Sequence, residues 1–385
     1  MQRKDFIELI DQYFASHSIV ALLGPRQCGK TTLAKMYSQK QVRFPKSNYF
    51  DLESTIDIER LRNPMLALEP LSGLIVIDEI QRRPELFPAL RVLADRYGEK
   101  QKYLILGSAS RELIKQSSES LAGRIAFIEL TPFNFEETGE LSKLWFRGGF
   151  PKSYLASTEE ESFDWRSFYI RTFLEQDIPN LGIKIPPETL RRFWIMLGHY
   201  HGNIFNASEL GRSFGASDVT IRKYLDILTG TFMIRQLQPW YENIGKRQVK
   251  APKIFFRDSG IFHALLNIHH PEDLYQHPKL GASWEGFALE EIIRAYGSRN
   301  EDCFFWSTYE KAEIDLLIYQ SGQMIGIEIK YSDAPTITKS MQIALKDLKL
   351  KHVYVIYPGE IDYPLSDQIS VKGLKSFLSL NLEKK

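Results

Sequence analysis

The run Gly24-Pro25-Arg26-Gln27-Cys28-Gly29-Lys30-Thr31 has the glycine, lysine and hydroxyl spacing of a phosphate-binding loop. Glycines let the backbone curl so that successive N–H groups face phosphate oxygens, and the start of the following helix adds partial positive charge toward the same anion. Lys30 is expected to reach the β- and γ-phosphates of ATP, and the Thr31 hydroxyl to hold Mg²⁺. The set expected to bind the nucleotide is Gly24, Pro25, Arg26, Gln27, Cys28, Gly29, Lys30, Thr31 and Thr32. A second element, Leu74-Ile75-Val76-Ile77-Asp78-Glu79, is an apolar strand ending in two carboxylates. Asp78 suits Mg²⁺-bound water, and Glu79 suits a general base that activates the attacking water.

A second constellation lies near the C-terminus. A two-residue turn at Ser321-Gly322 would pair Asp315 with Glu328 across a hairpin and put Lys330 on the same sheet face. Two opposed carboxylates repel unless a cation lies between them. Mg²⁺ is the expected cation for oxygen ligands, and Lys330 could then orient water. A row of charges on a half-exposed strand is the plainer alternative, since Glu310 and Glu313 stand on the same stretch.

A third candidate is a pair of short helices. Ala207–Phe214 and Asp218–Leu228 flank the turn Gly215-Ala216-Ser217, with Ser217 or Asp218 available as cap. Val219, Ile221, Leu225 and Leu228 are expected to face inward, leaving Thr220, Arg222 and Lys223 outward. Residues 231–240 read as a strand or wing. The basic stretch Lys246, Arg247, Lys250, Lys253 and Arg257 follows and could contact DNA phosphates.

These motifs carry resemblances. The phosphate loop and the acidic strand resemble the AAA+ superfamily of P-loop ATPases. In that superfamily the next strand ends in a γ-phosphate sensor, which here would be Ser108 in Leu104-Ile105-Leu106-Gly107-Ser108, where Asn or Thr is commoner. The same resemblance implies an arginine that neutralises transition-state charge, often from a neighbouring subunit. Arg124 is the candidate and Arg111 its rival. More narrowly, Asp78–Gln81, Leu121–Arg124, Gly148–Pro151, Tyr169–Asp177 and Lys253–Gly260 are similar to a family of AAA+-like ATPases defined by architecture and not by substrate. The helix pair resembles a winged helix-turn-helix. The hairpin resembles the PD-(D/E)xK nuclease superfamily, with Asp315 and Glu328-Ile329-Lys330 as its acidic and acid–x–lysine elements. That likeness implies a further acid from a preceding helix: Glu285, or else Glu290 or Glu291.

The elements that must position these residues fall into blocks. A chain of 385 residues exceeds one ordinary core, so several domains are expected. Strands at Ile19–Leu23, Asn48–Asp51, Leu74–Ile77, Tyr103–Leu106 and Ile125–Leu130 alternate with helices, which predicts an α/β fold with a P-loop NTPase parallel sheet. The expected division is 1–133 ATPase core, 134–200 helical connector, 201–266 winged-helix region, and 267–385 a smaller α/β restriction-endonuclease-like domain. The net charge of +1 excludes a global field for nucleic acid, so any such binding must be local. Two cysteines give no disulfide framework or zinc site. No apolar run spans a bilayer and no leader is evident, so the expectation is a cytoplasmic protein without membrane partners. Together these readings predict an ATP-hydrolysing, Mg²⁺-dependent enzyme acting on nucleic acid, DNA by preference, with ATP turnover coupled to the nuclease-like C-terminal module. An ATP-driven switch that binds DNA or protein without cutting, and a protein-remodelling ATPase, are the alternatives.

Overall fold

The structure, a computed structural model, describes residues 3–40, 44–108, 121–241, 249–310 and 312–382. The described chain divides into two compact units. One comprises Met1–Phe133, Thr172–Ile185 and Gly230–Met233; the other comprises Asn134–Arg171, Pro186–Thr229 and Ile234–Lys385.

The first unit is built on five parallel strands: β1 (Ile19–Leu23), β2 (Tyr49–Asp51), β3 (Gly73–Asp78), β4 (Gln101–Gly107) and β5 (Ile125–Glu129). Their order is β2-β3-β4-β1-β5. The apolar runs are continuous because both sheet faces are covered. Ala21, Ile75, Ile77, Tyr103 and Ile105 pack on one face with Leu86, Leu90 and Leu93 of the helix Leu86–Tyr97. Their alternating neighbours Val20, Leu22, Val76, Leu104 and Leu106 pack on the other with Ile7, Ile10, Leu33 and Tyr37. Those last four belong to the helices Lys4–Phe14 and Lys30–Gln39. In this order β4 lies between β1 and β3, so the loop after β1, the acidic end of β3 and the end of β4 open on one edge of the sheet.

The second unit carries the helices Phe135–Thr138, Leu141–Arg147, Pro151–Tyr154 and Glu159–Thr172, joined by short turns, and then Pro187–Tyr200 after the segment Thr172–Ile185 that belongs to the first unit. The paired helices Ala207–Phe214 and Asp218–Gly230 follow. Its sheet comprises β6 (Ile234–Pro239), β7 (Lys253–Phe256), β8 (Cys303–Ser307), β9 (Glu313–Gln320), β10 (Gln323–Ile329), β11 (Val353–Tyr357), β12 (Tyr363–Ser366) and β13 (Ile369–Gly373). The order is β12-β13-β11-β10-β9-β8-β6-β7. Trp306, Ile314, Leu317, Met341, Val353, Val355 and Val371 form its core. The hairpin β6–β7 is not a free-standing wing, because β6 also pairs in parallel with β8 and joins the larger sheet.

The helix pair shows one departure from expectation. Ser217 accepts a hydrogen bond from Thr220 N at 3.2 Å and caps the second helix. Ile221, Leu225 and Leu228 are buried, but Val219 is 72% exposed. Residues 221, 225 and 228 follow the i, i+4, i+7 stripe, whereas position 219 falls roughly opposite it. Arg222 and Lys223 are exposed and Thr220 is half-buried. Among the described residues, no helix is long and apolar enough to cross a membrane.

Candidate functional site

Gly24 ends β1 where a side chain cannot fit, because a Cβ there would lie 2.1 Å from the Leu130 carbonyl oxygen. Gly29 has φ 103°, a left-handed backbone that favours glycine, and it caps the helix Lys30–Gln39. The Lys30 ammonium is buried and donates to the Gly24 and Pro25 carbonyls at 3.0 and 2.9 Å. Gln27 and Thr32 are exposed, while Pro25 and Cys28 are buried. The Cys28 thiol contacts the Leu130 carbonyl at 3.4 Å, and burial pushes its pKa up. Arg3 clamps the loop from below, donating to Cys28 O at 3.2 Å and Thr131 O at 3.0 Å.

Asp78 is 3% exposed at the end of β3. Its Oδ2 accepts from Thr31 Oγ1 at 2.7 Å and from the Tyr49 hydroxyl at 2.8 Å. Burial raises the Asp78 pKa, and the two hydroxyl donors work against that rise. A buried carboxylate beside a hydroxyl is an all-oxygen set that fits Mg²⁺. Thr31 and Asp78 would hold that ion, whose charge neutralises phosphate oxygens when nucleotide is bound.

Glu79 has φ 57° and ψ 46°, a left-handed conformation uncommon outside glycine and characteristic of functional turns. Its carboxylate accepts from the Gln81 side-chain amide and from Ser108 Oγ, the latter at 3.3 Å. Gln81 Nε2 also donates to Ser108 Oγ at 2.9 Å. The expected base and the expected sensor therefore touch, with Gln81 bridging them. Together with Arg26, Glu53, Arg82, Phe173, Asp177, Asn180, Leu181 and Thr231 they line one open cavity.

Arg124 lies elsewhere. It precedes β5, its carbonyl accepts from Ile19 N at the start of β1, and its guanidinium pairs with Asp95. That is the sheet edge opposite the phosphate loop, so Arg124 does not reach the phosphate loop of its own chain. Its rival Arg111 lies outside the described residues, as do Lys246 and Arg247.

In the second unit the hairpin register is the expected one. Gln323 pairs with Gln320, and the ladder continues to Ile327 opposite Leu316. Asp315 and Glu328 come next, 6% and 4% exposed, and Asp315 Oδ2 accepts from Ile329 N at 2.9 Å. Lys330 pairs with Glu328 at 2.6 Å. The third acid is Glu285, from the helix Leu280–Tyr296. Glu290 and Glu291 face other partners: Glu290 binds the Arg235 guanidinium, and Glu291 accepts from Phe135 N and Arg294.

The cation expected among these acids is supplied by the chain itself. Lys253, on β7, is 3% exposed. Its ammonium pairs with Glu313 and lies 3.4 Å from both Glu285 and Asp315. Burial opposes that charge, but the three carboxylates outweigh it and hold the Lys253 pKa above its ordinary value. Glu285 is pushed up to about 7, first by burial. Glu328 is pushed up to about 8 by burial and then by Asp315, and its Oε2 finds no hydrogen-bond partner. The cluster thus reaches charge balance through ammonium groups and protons. Among the described residues no three His, Cys, Asp or Glu side chains are grouped to hold a metal. The Mg²⁺ expectation at Glu285, Asp315 and Glu328 does not fit this arrangement. Lys253 and Arg257 also leave the basic stretch, since Arg257 approaches Glu290 at 3.7 Å. Of the described residues in that run, Lys250 alone is exposed.

Residues 16–139 match a family described as AAA domain, which makes the first unit's core an ATP-binding ATPase domain. Residues 138–272 and 280–377 match two domains of unknown function, DUF8612 and DUF4143. Uncharacterized protein Rv2008c of Mycobacterium tuberculosis is 46% identical over 371 residues, 96% of this chain and 83% of the relative. Uncharacterized protein Mb2031c of Mycobacterium bovis matches to the same extent. The chain belongs to their family. Solved structures with similarity include a signal transduction ATPase of the STAND class from Pyrococcus horikoshii, at 11% identity and TM-score 0.30, covering 77% of this chain and 45% of that one. A RuvB mutant of Thermotoga maritima gives 17% identity and TM-score 0.29, covering 61% and 87%.

In this family member, sequence reasoning missed four residues around the first site: Arg3, Tyr49, Gln81 and Asp177. Gln81 and Asp177 had a signal, since they end the stretches Asp78–Gln81 and Tyr169–Asp177 that carry the family resemblance. It missed Lys253 and Glu313 in the second, where their charges read as solvent-facing.

Proposed function

We propose that this protein hydrolyses ATP and uses the cycle to drive a switch. The observation that supports it is the hydrogen bond from Thr31 to the buried Asp78, beside a Glu79 already held by Gln81 and Ser108. Lys30 and the loop N–H groups bind the phosphates, and Glu79 takes a proton from the attacking water. Ser108, beside Glu79 at the end of β4, takes the part of γ-phosphate sensor in this reading. Arg124 completes a neighbouring copy's site, which would make hydrolysis depend on self-association. The test compares nucleotide affinity and steady-state ATPase rate for wild type, Lys30→Ala and Glu79→Gln. Glu79→Gln is expected to bind ATP and stall; hydrolysis at the wild-type rate would remove Glu79 as base.

The further reading is that the cycle acts on nucleic acid, DNA by preference, in the cytoplasm, through four parts: the ATPase core, the helical connector, the winged-helix region and the nuclease-like module. Lys253 inside the acid cluster favours a module that binds without cutting over one that cleaves with Mg²⁺. A protein-remodelling ATPase is the outcome if DNA leaves the ATPase rate unchanged. Cleavage of single-stranded, duplex and branched DNA with Mg²⁺ or Mn²⁺ separates cutting from binding.

A further inference from the structure

Arg26 is the third residue of the phosphate loop, and it lines the cavity beside that loop. Its guanidinium pairs with Asp177 and, at 3.1 Å, with Glu53. Both acids line the same cavity as Glu79 and Ser108. Asp177 ends a π-helical turn, Phe173–Asp177, in a segment joined at both ends to chain of the second unit. Such turns recur at functional sites because they present a side chain an ordinary helix would not. Burial raises the Asp177 pKa, while the Arg26 guanidinium works against that rise.

We propose that Arg26 supplies a second arginine, from the same chain, to transition-state charge at its own ATP site, beside the one Arg124 brings from a neighbouring copy, and that Asp177 holds Arg26 off until the γ-phosphate competes for it. This rests on the ATPase reading above. Three observations carry it. Arg26 is anchored on the loop that wraps the phosphates, so a side-chain rotation alone can carry its guanidinium across the cavity. The cavity that it lines contains the general base. The arginine marked out by sequence, Arg124, opens on the opposite sheet edge. Arg82 is the neighbouring alternative, since it also lines the cavity, but its ion pair with Glu53 is longer, at 3.4 Å. A γ-phosphate offers more negative charge than one carboxylate, so nucleotide exchanges the Asp177 partner for a phosphate partner. The freed Asp177 then lies on a segment covalently continuous with the second unit.

The experiment measures kcat, and ATP and ADP affinity, for wild type, Arg26→Ala, Arg26→Lys, Asp177→Asn and Arg82→Ala, with thermal melting to confirm folding. Loss of a charge-stabilising donor costs on the order of 100-fold in kcat. Arg26→Ala is expected to lose that much with ADP affinity unchanged, and Arg26→Lys to recover part of it. Asp177→Asn is expected to raise the basal rate by about fivefold, a usual size for a coupling between sites. The proposal is overturned if Arg26→Ala turns over at the wild-type rate, if it loses ADP affinity in proportion, if Asp177→Asn is no faster than wild type, or if Arg82→Ala carries the 100-fold loss instead. Should Arg26→Ala fail to fold, Arg26→Lys and Asp177→Asn decide the matter. Failure of the ATPase reading looks different, because wild type itself would then be inactive.

Discussion

The Lys253 ammonium lies 3.4 Å from Asp315 Oδ1 and 3.4 Å from Glu285 Oε1, between two strands and a helix that converge on one acid cluster. A buried lysine there does the electrostatic work of a metal. Lys253→Ala leaves three carboxylates with their counter-charge removed, which for a buried ion network costs about 3–5 kcal/mol. Thermal melting of the variant is expected to recover on adding Mg²⁺ or Mn²⁺, with wild type indifferent to either ion in the absence of nucleotide. A wild-type melting temperature that rises with the ion would show that a metal displaces the lysine.

The same cluster sets a pH dependence. Glu328 is held up to about 8 in the folded protein, first by burial and then by Asp315. An unfolded glutamate titrates near 4.3, so between those values the native state binds the proton more tightly. Stability therefore falls as pH rises through that window. Glu285, at about 7, adds to the same slope over a narrower range. Glu328→Gln keeps the neutral form's shape and is expected to flatten the decline of melting temperature between pH 5 and 8. A bound divalent cation would reverse the sign, because it favours the ionised carboxyl.

Much of this was legible in the sequence where one residue's neighbours in the chain are also its neighbours in space. The strand Ile19–Leu23 falls on its observed bounds because both faces are buried and no polar residue interrupts it. The hairpin register followed from a two-residue turn, which fixes every pairing beyond it. What escaped is long-range. Lys253 stands 62 positions from Asp315, and Asp177 stands 151 from Arg26, so no spacing rule links them. Lysine is almost never fully buried unless paired, and a basic stretch reads as solvated by default. Val219 is apolar but out of phase with the stripe of Ile221, Leu225 and Leu228, so residue type alone points it the wrong way.

Gln81 acts on Glu79 through a hydrogen bond, which makes it a candidate positioning residue. Gln81→Ala releases one donor to the Glu79 carboxylate and breaks the bridge to Ser108. The general base supplies about 10²–10⁴-fold of rate, and loosening it forfeits a part of that. The expected result is a kcat lower by about tenfold with KM for ATP within twofold, in the range of one lost hydrogen bond. A raised KM at constant kcat would instead place Gln81 in nucleotide binding.

The helix Asp218–Gly230 presents Arg222 and Lys223 to solvent, while Ile221 and Leu225 hold its other face to the core. That geometry permits phosphate contact and leaves the fold unaffected when the charges go. Lys250 is exposed as well, whereas Lys253 and Arg257 are spent on carboxylates, so the described basic surface is smaller than the sequence implied. Each phosphate contact contributes about 0.9 to the slope of log affinity against log salt on duplex DNA. Arg222→Ala/Lys223→Ala is expected to flatten that slope by nearly two units if both contact phosphate, and adding Lys250→Ala by about one more. The variants should melt with wild type, since exposed substitutions shift stability by about 0.5 kcal/mol or less. DNA binding with the wild-type slope in the triple variant would take this helix out of the interface. Absence of DNA binding by wild type at low salt, where electrostatic contacts are strongest, would turn the reading toward a protein partner.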